Sequence, residues 1–280
     1  MDAGRTAGVT DELVGQPRPA VRPRKARQPA MLNIPAYLER IAYTGPLATT
    51  PEVLHKLHRA HLLSVPFENL DIALGRTIVC DEDAFIRKIV ERRRGGFCYE
   101  LNGAFAGLLR AIGFDVALLS ARVPREDGSD GPEFDHLALR VDLEEPWLAD
   151  VGFGDSFLEP LLLRSGAEQS QDGWKYRVGD CGDLLCMERA ERDAVWKRQY
   201  SFTPMPRSLD EFAPMCHYHQ TSPESPFTHR NVCSIATPHG RITLADRRLI
   251  ITRNGNKEER LLATDPEWRA ALKEHFEIVL

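Results

Sequence analysis

The hydrophobic period of this 280-residue chain changes at Gly113 and Phe114, and that one change limits the folds open to it. Upstream, apolar residues recur every three or four positions, the spacing of helices with one buried face. MLNIPAYLERIAY sets Leu38 and Ile41 three apart, and Thr50 with Pro51 forms a helix-start signal ahead of PEVLHKLHRAHLL, where Leu54, Leu57 and His61 share a side. VPFENLDIALG reads as a loop. DEDAFIRKIVERRR reads as a third helix grouping Phe85, Ile86, Ile89 and Val90, and CYELNGAFAGLLRAIG as a fourth, with Leu101, Phe105, Leu108, Leu109 and Ile112 in a stripe that Gly113 stops. Downstream the period is two: FDVALLSARV, HLALRVDL, PWLADVGF, WKYRV and LLCME alternate between turns rich in glycine, proline and acids. VCSIATPHGRITLADRRLIIT then reads as strand, turn and strand, followed by a helix opened by Asp265 and Pro266. Helices and strands are segregated, so the expected class is α+β: a helical bundle over 31–113, a mostly antiparallel sheet or barrel over 114–225 and a small α/β end unit over 226–280.

Residues 1–30 lack apolar periodicity, and PRPAVRPRKARQP mixes prolines with Arg18, Arg22, Arg24, Lys25 and Arg27. That composition predicts a solvated, disordered leader, with a basic targeting arm as the alternative. A net charge of −5 lacks the basic excess of a nucleic-acid binder, so DNA and RNA are not expected partners. No apolar run approaches the roughly 18 residues that cross a bilayer, and the N-terminus has no apolar export region, so no membrane association and a cytoplasmic location are expected. The six cysteines are irregularly spaced, which suits reduced thiols better than a disulfide framework.

One thiol has a special setting. In RRGGFCYELN, Cys98 follows two glycines and opens the fourth helix. A helix N-terminus presents unpaired N–H groups and partial positive charge, which favour a thiolate and can hold an oxyanion. The plain reading is a small buried hydrophobe. A nucleophile needs a base, and in FDHLALRVDLEEPWLADVGFG residue His136 faces away from the row Leu137, Leu139 and Val141, with Asp150 beyond the turn-like EEP. A hairpin brings His136 and Asp150 to one face only in an even-sum register; an odd register separates them. With that pairing, Cys98, His136 and Asp150 form a nucleophile, base and orienter. The remaining motifs are weaker. Cys216, His217 and His219 in MCHYHQ have no second cluster at zinc spacing, so no metal is expected. Cys181 and Cys186 are not at redox CxxC spacing and read as a partly buried strand pair, and Cys80 and Cys233 read as core or loop. No glycine-rich nucleotide cradle of either common kind is present.

Taken together and in order, VPFENLDI, RGGFCYELN, HLALRV, ADVGFG and TSPESPFTHRNVCSIATPHG resemble the arylamine N-acetyltransferase family over roughly residues 31–275. The resemblance implies a helical bundle, a β-barrel and an α/β lid. It implies Cys98 as nucleophile, His136 as base and Asp150 as orienter. It further implies Phe67, Phe153 and Phe227 as substrate-binding side chains, and Gly154 with Phe227 as coenzyme A contacts. Glu68, Arg94 and Asn102 also match, with a bracing role that includes a Glu68 to Arg94 ion pair. The implied activity is two-step transfer from acetyl-CoA, a co-substrate rather than a tightly bound cofactor, to an arylamine, arylhydroxylamine or hydrazine, as in xenobiotic metabolism. Three rivals use or retain the same residues: an amide synthase releasing a carrier-bound polyketide, a cysteine hydrolase, and a non-catalytic binding module. The sequence leaves the preferred amine, the acyl donor and the oligomeric state open.

Overall fold

The computed structural model describes Met1 and residues 32–280 apart from 126, 165, 192 and 193. The leader expected at 1–30 thus lies outside the described residues but for Met1. Five helices open the described part: α1 (Ile34–Arg40), α2 (Pro51–Ser64), α3 (Leu70–Ala73), α4 (Glu82–Ile86) and α5 (Cys98–Ile112). Thr50 caps α2 as the sequence suggests, its Oγ1 accepting from Val53 N at 3.4 Å, and Asp81 caps α4, its Oδ1 accepting from Ala84 N at 2.9 Å. Two readings change. The stretch read as a loop contains strand β1 (Phe67–Glu68) as well as α3, and the third helix continues beyond α4 as a π-helical turn over Arg87–Glu91. Helix α5 is buried on every side from Cys98 to Leu109 rather than along one stripe, because it runs through the middle of the molecule.

The strands from Asp115 onward form an eight-stranded antiparallel sheet: β2 (Asp115–Arg122), β3 (His136–Asp142), β4 (Pro146–Ala149), β5 (Leu161–Leu162), β6 (Gln169–Gln171), β7 (Trp174–Cys181), β8 (Leu184–Glu191) and β9 (Lys197–Phe202). Their spatial order is β5-β4-β3-β2-β9-β8-β7-β6. The end strands β5 and β6 are bridged by side chains: Leu162 N donates to Gln169 Oε1 at 2.7 Å and Gln169 Nε2 donates back to Leu162 O at 3.3 Å. Gln171 does the same for Leu158, Glu159 and the Glu159 carbonyl. These amides satisfy backbone groups that an open edge would leave unpaired, so the sheet is a nearly closed barrel. Leu119, Ala138, Leu148, Met187 and Tyr200 fill it, while Leu137, Leu139 and Val141 on the other face of β3 pack with α5 in the helical core.

The last sheet runs β1-β10-β11-β12-β13, with β10 (Val232–Thr237), β11 (Gly240–Ala245), β12 (Arg248–Arg253) and β13 (Asn256–Leu261). Helix α6 (Ala213–Thr221), unread in the sequence, precedes it, and α7 (Asp265–Phe276) starts at Thr264, whose Oγ1 accepts from Glu267 N at 3.4 Å. Leu244, Leu249, Leu272 and Phe276 form the core of this unit. One expectation about thiols is corrected: Cys181 and Cys186 are joined as a disulfide across the β7–β8 hairpin, where antiparallel pairing brings the two strands together, whereas Cys80, Cys98, Cys216 and Cys233 are free. No helix among the described residues is long and apolar enough to cross a membrane.

Candidate active site

The site is built around the first turn of α5. Glu68 N in β1 donates to Gly96 O at 2.8 Å, which draws β1 against the two glycines. A Cβ at Gly95 would overlap the Pro66 carbonyl, so this approach needs glycine there. The strand delivers Glu68 beneath α5, into a buried cluster of charge. Arg94 Nη2 lies 2.7 Å from Glu68 Oε1 and 3.1 Å from Asp71 Oδ1, giving the Glu68 to Arg94 pair expected from the sequence. Lys88 Nζ, from the π-helical turn, lies 2.9 Å from Asp71 Oδ2 and 2.9 Å from Glu100 Oε1. Glu100 Oε2 in turn accepts from Phe97 N at 3.1 Å, fixing the entry of α5. Burial pushes the Glu100 carboxyl up to about 7, with Lys88 pulling the other way. For Lys88 itself burial opposes the charge, yet the carboxylates of Glu100, Glu68 and Asp71 outweigh it and raise its pKa. Directly above this cluster Cys98 is the first residue of α5, where first-turn N–H groups have no intrahelical acceptor.

His136 and Asp150 come from neighbouring strands. Leu139 pairs with Ala149 and Arg140 with Leu148, the even-sum register that places His136 and Asp150 on one face. His136 Nε2 donates to Asp150 Oδ2 at 2.7 Å, and the Cys98 side chain lies close enough to His136 to favour its charged form. With Nε2 taken by Asp150, Nδ1 is the ring nitrogen left to exchange a proton with the sulfur. Burial disfavours the imidazolium, but the Asp150 carboxylate and the Cys98 side chain overcome it and raise His136 to about 10. Burial likewise works against the Asp150 charge, while His136, Asn102 and Gly152 hold its carboxyl below the ordinary range.

Asp150 is fixed from four sides, by residues of which the sequence suggested only His136 and Asn102. Its Oδ1 accepts from Asn102 Nδ2 at 2.8 Å and from Gly152 N at 3.0 Å. Asn102 also donates to Leu137 O at 2.6 Å and accepts from Val151 N at 2.9 Å, so one α5 side chain ties both strands to the nucleophile helix. His58 of α2 is the unforeseen member: its Nε2 accepts from Asp150 N at 3.0 Å and its Nδ1 donates to Leu158 O at 2.9 Å. That pattern needs the neutral ring, and burial lowers His58 to about 4. In the sequence His58 is one histidine of a helical pattern, with nothing local to mark its partner.

Gly152 packs tightly against the backbone of Cys98. A Cβ there would lie 2.8 Å from Cys98 Cα and 2.7 Å from Asn102 Nδ2. Gly152→Ala is therefore expected to shift the Asp150 loop against α5; a displacement approaching 1 Å costs on the order of 100-fold in rate. Comparing the initial rate of Cys98 acylation in the two proteins checks this.

The aromatic candidates divide between two places. Phe67 and Phe227 are half-buried with ring centroids 6.3 Å apart, and Phe227 lies 6.1 Å from Phe97, the residue before Cys98. Phe153 is 5.2 Å from the His136 ring and 5.1 Å from Tyr200. The structure thus brings Cys98, His136 and Asp150 together with one aromatic patch on the cysteine side and another on the histidine side. Gly154 follows Phe153 at φ +89°, the left-handed region. The next residue, Asp155, lines a cavity of about 730 Å³ with Trp174, Tyr176, His239 and Arg241, between the barrel and the last sheet. No group of three or more His, Cys, Asp or Glu side chains among the described residues could hold a metal ion.

Known proteins are similar to this chain in sequence and in fold. An N-acetyltransferase family model matches residues 50–280. The arylamine N-acetyltransferase of Escherichia coli is 33% identical over 241 residues, spanning 85% of this chain and 85% of that protein. The solved arylamine N-acetyltransferase of Salmonella typhimurium superposes with a TM-score of 0.83 at 32% identity, covering 89% of this chain and 92% of that one. That of Mycobacterium marinum in complex with CoA gives 0.82 at 31%, covering 88% and 93%. A proansamycin X synthase of Amycolatopsis mediterranei is also similar, 29% identical over 83% of this chain and 92% of its own length. A match over most of the chain, in sequence and in fold, joins the buried cysteine, histidine and aspartate: this chain belongs to the arylamine N-acetyltransferase family of enzymes.

Proposed function

We propose that the chain transfers the acetyl group of acetyl-CoA to weakly basic amines of the arylamine, arylhydroxylamine or hydrazine class, through an acetyl-cysteine on Cys98. The observation that carries this reading is the buried His136–Asp150 hydrogen bond set beside Cys98 at the first turn of α5. In the first step the Cys98 sulfur, as thiolate beside the His136 imidazolium, attacks the thioester carbonyl. First-turn N–H groups of α5 face the developing oxyanion. The C–S bond to coenzyme A breaks and His136 gives its proton to the departing thiolate. In the second step the amine attacks the acetyl-cysteine, neutral His136 takes the amine proton, and the thiolate and imidazolium are restored as the amide leaves. Asp150 orients His136 and stabilises its charge throughout. Phe67, Phe153 and Phe227 supply apolar surface for the aromatic ring of the amine, and Gly154 with Phe227 borders the coenzyme path.

Activation by an imidazolium gives the pH profile a direction. The His136 charge is present below about 10 and lost above it, so acylation of Cys98 is expected to hold through neutral pH and fall as pH rises through about 10. Single-turnover acylation rates across that range check it.

The likeness to the proansamycin X synthase favours one second reading, amide formation within a carrier-bound polyketide by the same three side chains. The two separate in one assay. Release of CoA from acetyl-CoA that depends on an added arylamine or hydrazide, with one amide formed per CoA, supports acetyl transfer. CoA release indifferent to the amine points to a hydrolase. No turnover of acetyl-CoA, with release of a carrier-bound acyl chain bearing its own aryl amine, supports the synthase.

A further inference from the structure

We propose that His219, through Phe227, is a positioning residue that sets selectivity for the ring of the acceptor amine; this rests on the acetyl-transfer reading above. His219 lies on α6 and is buried, 4% exposed. Its Nδ1 is 3.2 Å from Ser225 Oγ and its Nε2 is 3.2 Å from Asp135 Oδ1. The Asp135 oxygen lies beside Nε2 without a directed hydrogen bond. Ser225 is fully buried, and its hydroxyl has one proton, which goes to His219 O at 3.2 Å. Ser225 Oγ therefore meets Nδ1 as an acceptor, and it accepts from Phe227 N at 3.3 Å as well. The His219 ring is thus held by Ser225 on its Nδ1 side and flanked by Asp135 on its Nε2 side.

That ring packs edge-to-face with Phe227, with centroids 5.1 Å apart and planes at 84°. Such an edge-to-face pair is directional, so the His219 orientation is passed to the Phe227 ring. The segments it joins are those of the site. Asp135 immediately precedes His136, and the carbonyls of Phe134 and Asp135 accept from Tyr99 Oη at 2.6 and 3.2 Å, next to Cys98. Phe227 packs on Phe97 and Phe67 beside the nucleophile. The Phe227 backbone has its own support, because Asn69 Nδ2 donates to Phe227 O at 3.1 Å and to Arg230 O at 2.7 Å. Removing the imidazole thus frees the Phe227 ring while its backbone stays in place, and the loss falls on substrates that lie against that ring.

The test compares an arylamine with plain hydrazine, which has no ring, in His219→Leu, Phe227→Leu and the double variant. In His219→Leu, loss of one oriented aromatic contact is expected to raise KM for the arylamine roughly 3- to 10-fold, with kcat and the hydrazine KM within about twofold. In the Phe227→Leu background the same His219 substitution is expected to add less than about twofold, since the effect runs through that ring. Equal losses for both amines, or full additivity with Phe227→Leu, would overturn the proposal and leave His219 a structural residue. If His219→Leu does not fold, His219→Gln, which keeps a polar bond but no ring, must show the same selectivity shift or the proposal fails. Intact mass after saturating acetyl-CoA separates this from the functional reading: an acetylated wild type with unchanged selectivity sinks only the role of His219, and an unmodified wild type sinks the acetyl-transfer reading.

Discussion

Asp150→Asn is expected to slow acylation of Cys98 by about 10³- to 10⁴-fold while leaving the fold intact, because the change alters protons rather than shape. Asp150 Oδ2 accepts from His136 Nε2, and Oδ1 accepts from both Asn102 Nδ2 and Gly152 N. An asparagine can keep its carbonyl oxygen toward only one of these places. With oxygen at the Oδ1 position, its NH₂ faces Nε2 and forces the proton to Nδ1, the atom that must take a proton from the sulfur. Flipped, the NH₂ meets two donors in a buried site, which leaves hydrogens with no acceptor. Either way the imidazolium loses the carboxylate that holds its pKa up. Single-turnover acylation, with circular dichroism as the check on folding, measures the loss. A decrease of less than tenfold would mean that Asp150 is not the partner on which His136 depends.

Lys88→Met is expected to destabilise the protein by about 3–5 kcal/mol, the range for removing one partner from a buried ion pair. Lys88 is 6% exposed and faces Asp71, Glu100 and, at 3.6 Å, Glu68. Arg94, which reaches Glu68 and Asp71, and the more exposed Arg76, 3.6 Å from Asp71, then remain against three carboxylates, and neither is paired with Glu100. Glu100 is left without its cation, and since burial already raises its pKa to about 7, it responds by taking a proton. The sign follows for pH. A carboxyl whose folded pKa lies above its unfolded value binds more protons in the folded state, so the variant recovers stability as pH falls from 7 toward the unfolded value of roughly 4.3. Denaturant unfolding at pH 6 and pH 8 reads both effects. Equal stability of variant and wild type at pH 8 would contradict the account of this cluster.

The parts of the site legible in the sequence are those fixed by local rules. The helix opening at Cys98 follows from apolar spacing after two glycines, and the shared face of His136 and Asp150 needs only strand parity and a register. The remainder depends on contacts distant in sequence. His58 meets Asp150 across 92 positions, and no spacing rule joins them. Lys88 reaches the cluster from a π-helical turn, which alternates apolar and polar residues much as an α-helix does, so the sequence pattern does not reveal it. Strand β13, NKEERL, is exposed on both faces at the edge of its sheet and has no apolar alternation to announce it. The closing of the barrel rests on the side chains of Gln169 and Gln171, and a polar residue that supplies backbone-like hydrogen bonds looks in sequence like any loop glutamine. The Cys181–Cys186 pairing was missed because spacing argued against a redox motif and did not address two thiols brought together by a hairpin.

The central claim is that Cys98 carries the acetyl group between two substrates. Intact-protein mass after mixing with acetyl-CoA in the absence of amine, run beside Cys98→Ala, tests it most directly. The account predicts a gain of one acetyl group in the native protein, its disappearance when an arylamine or hydrazide is added, and no gain in the variant. An acetyl group that persists in Cys98→Ala, or a native protein left unmodified by acetyl-CoA, would contradict it.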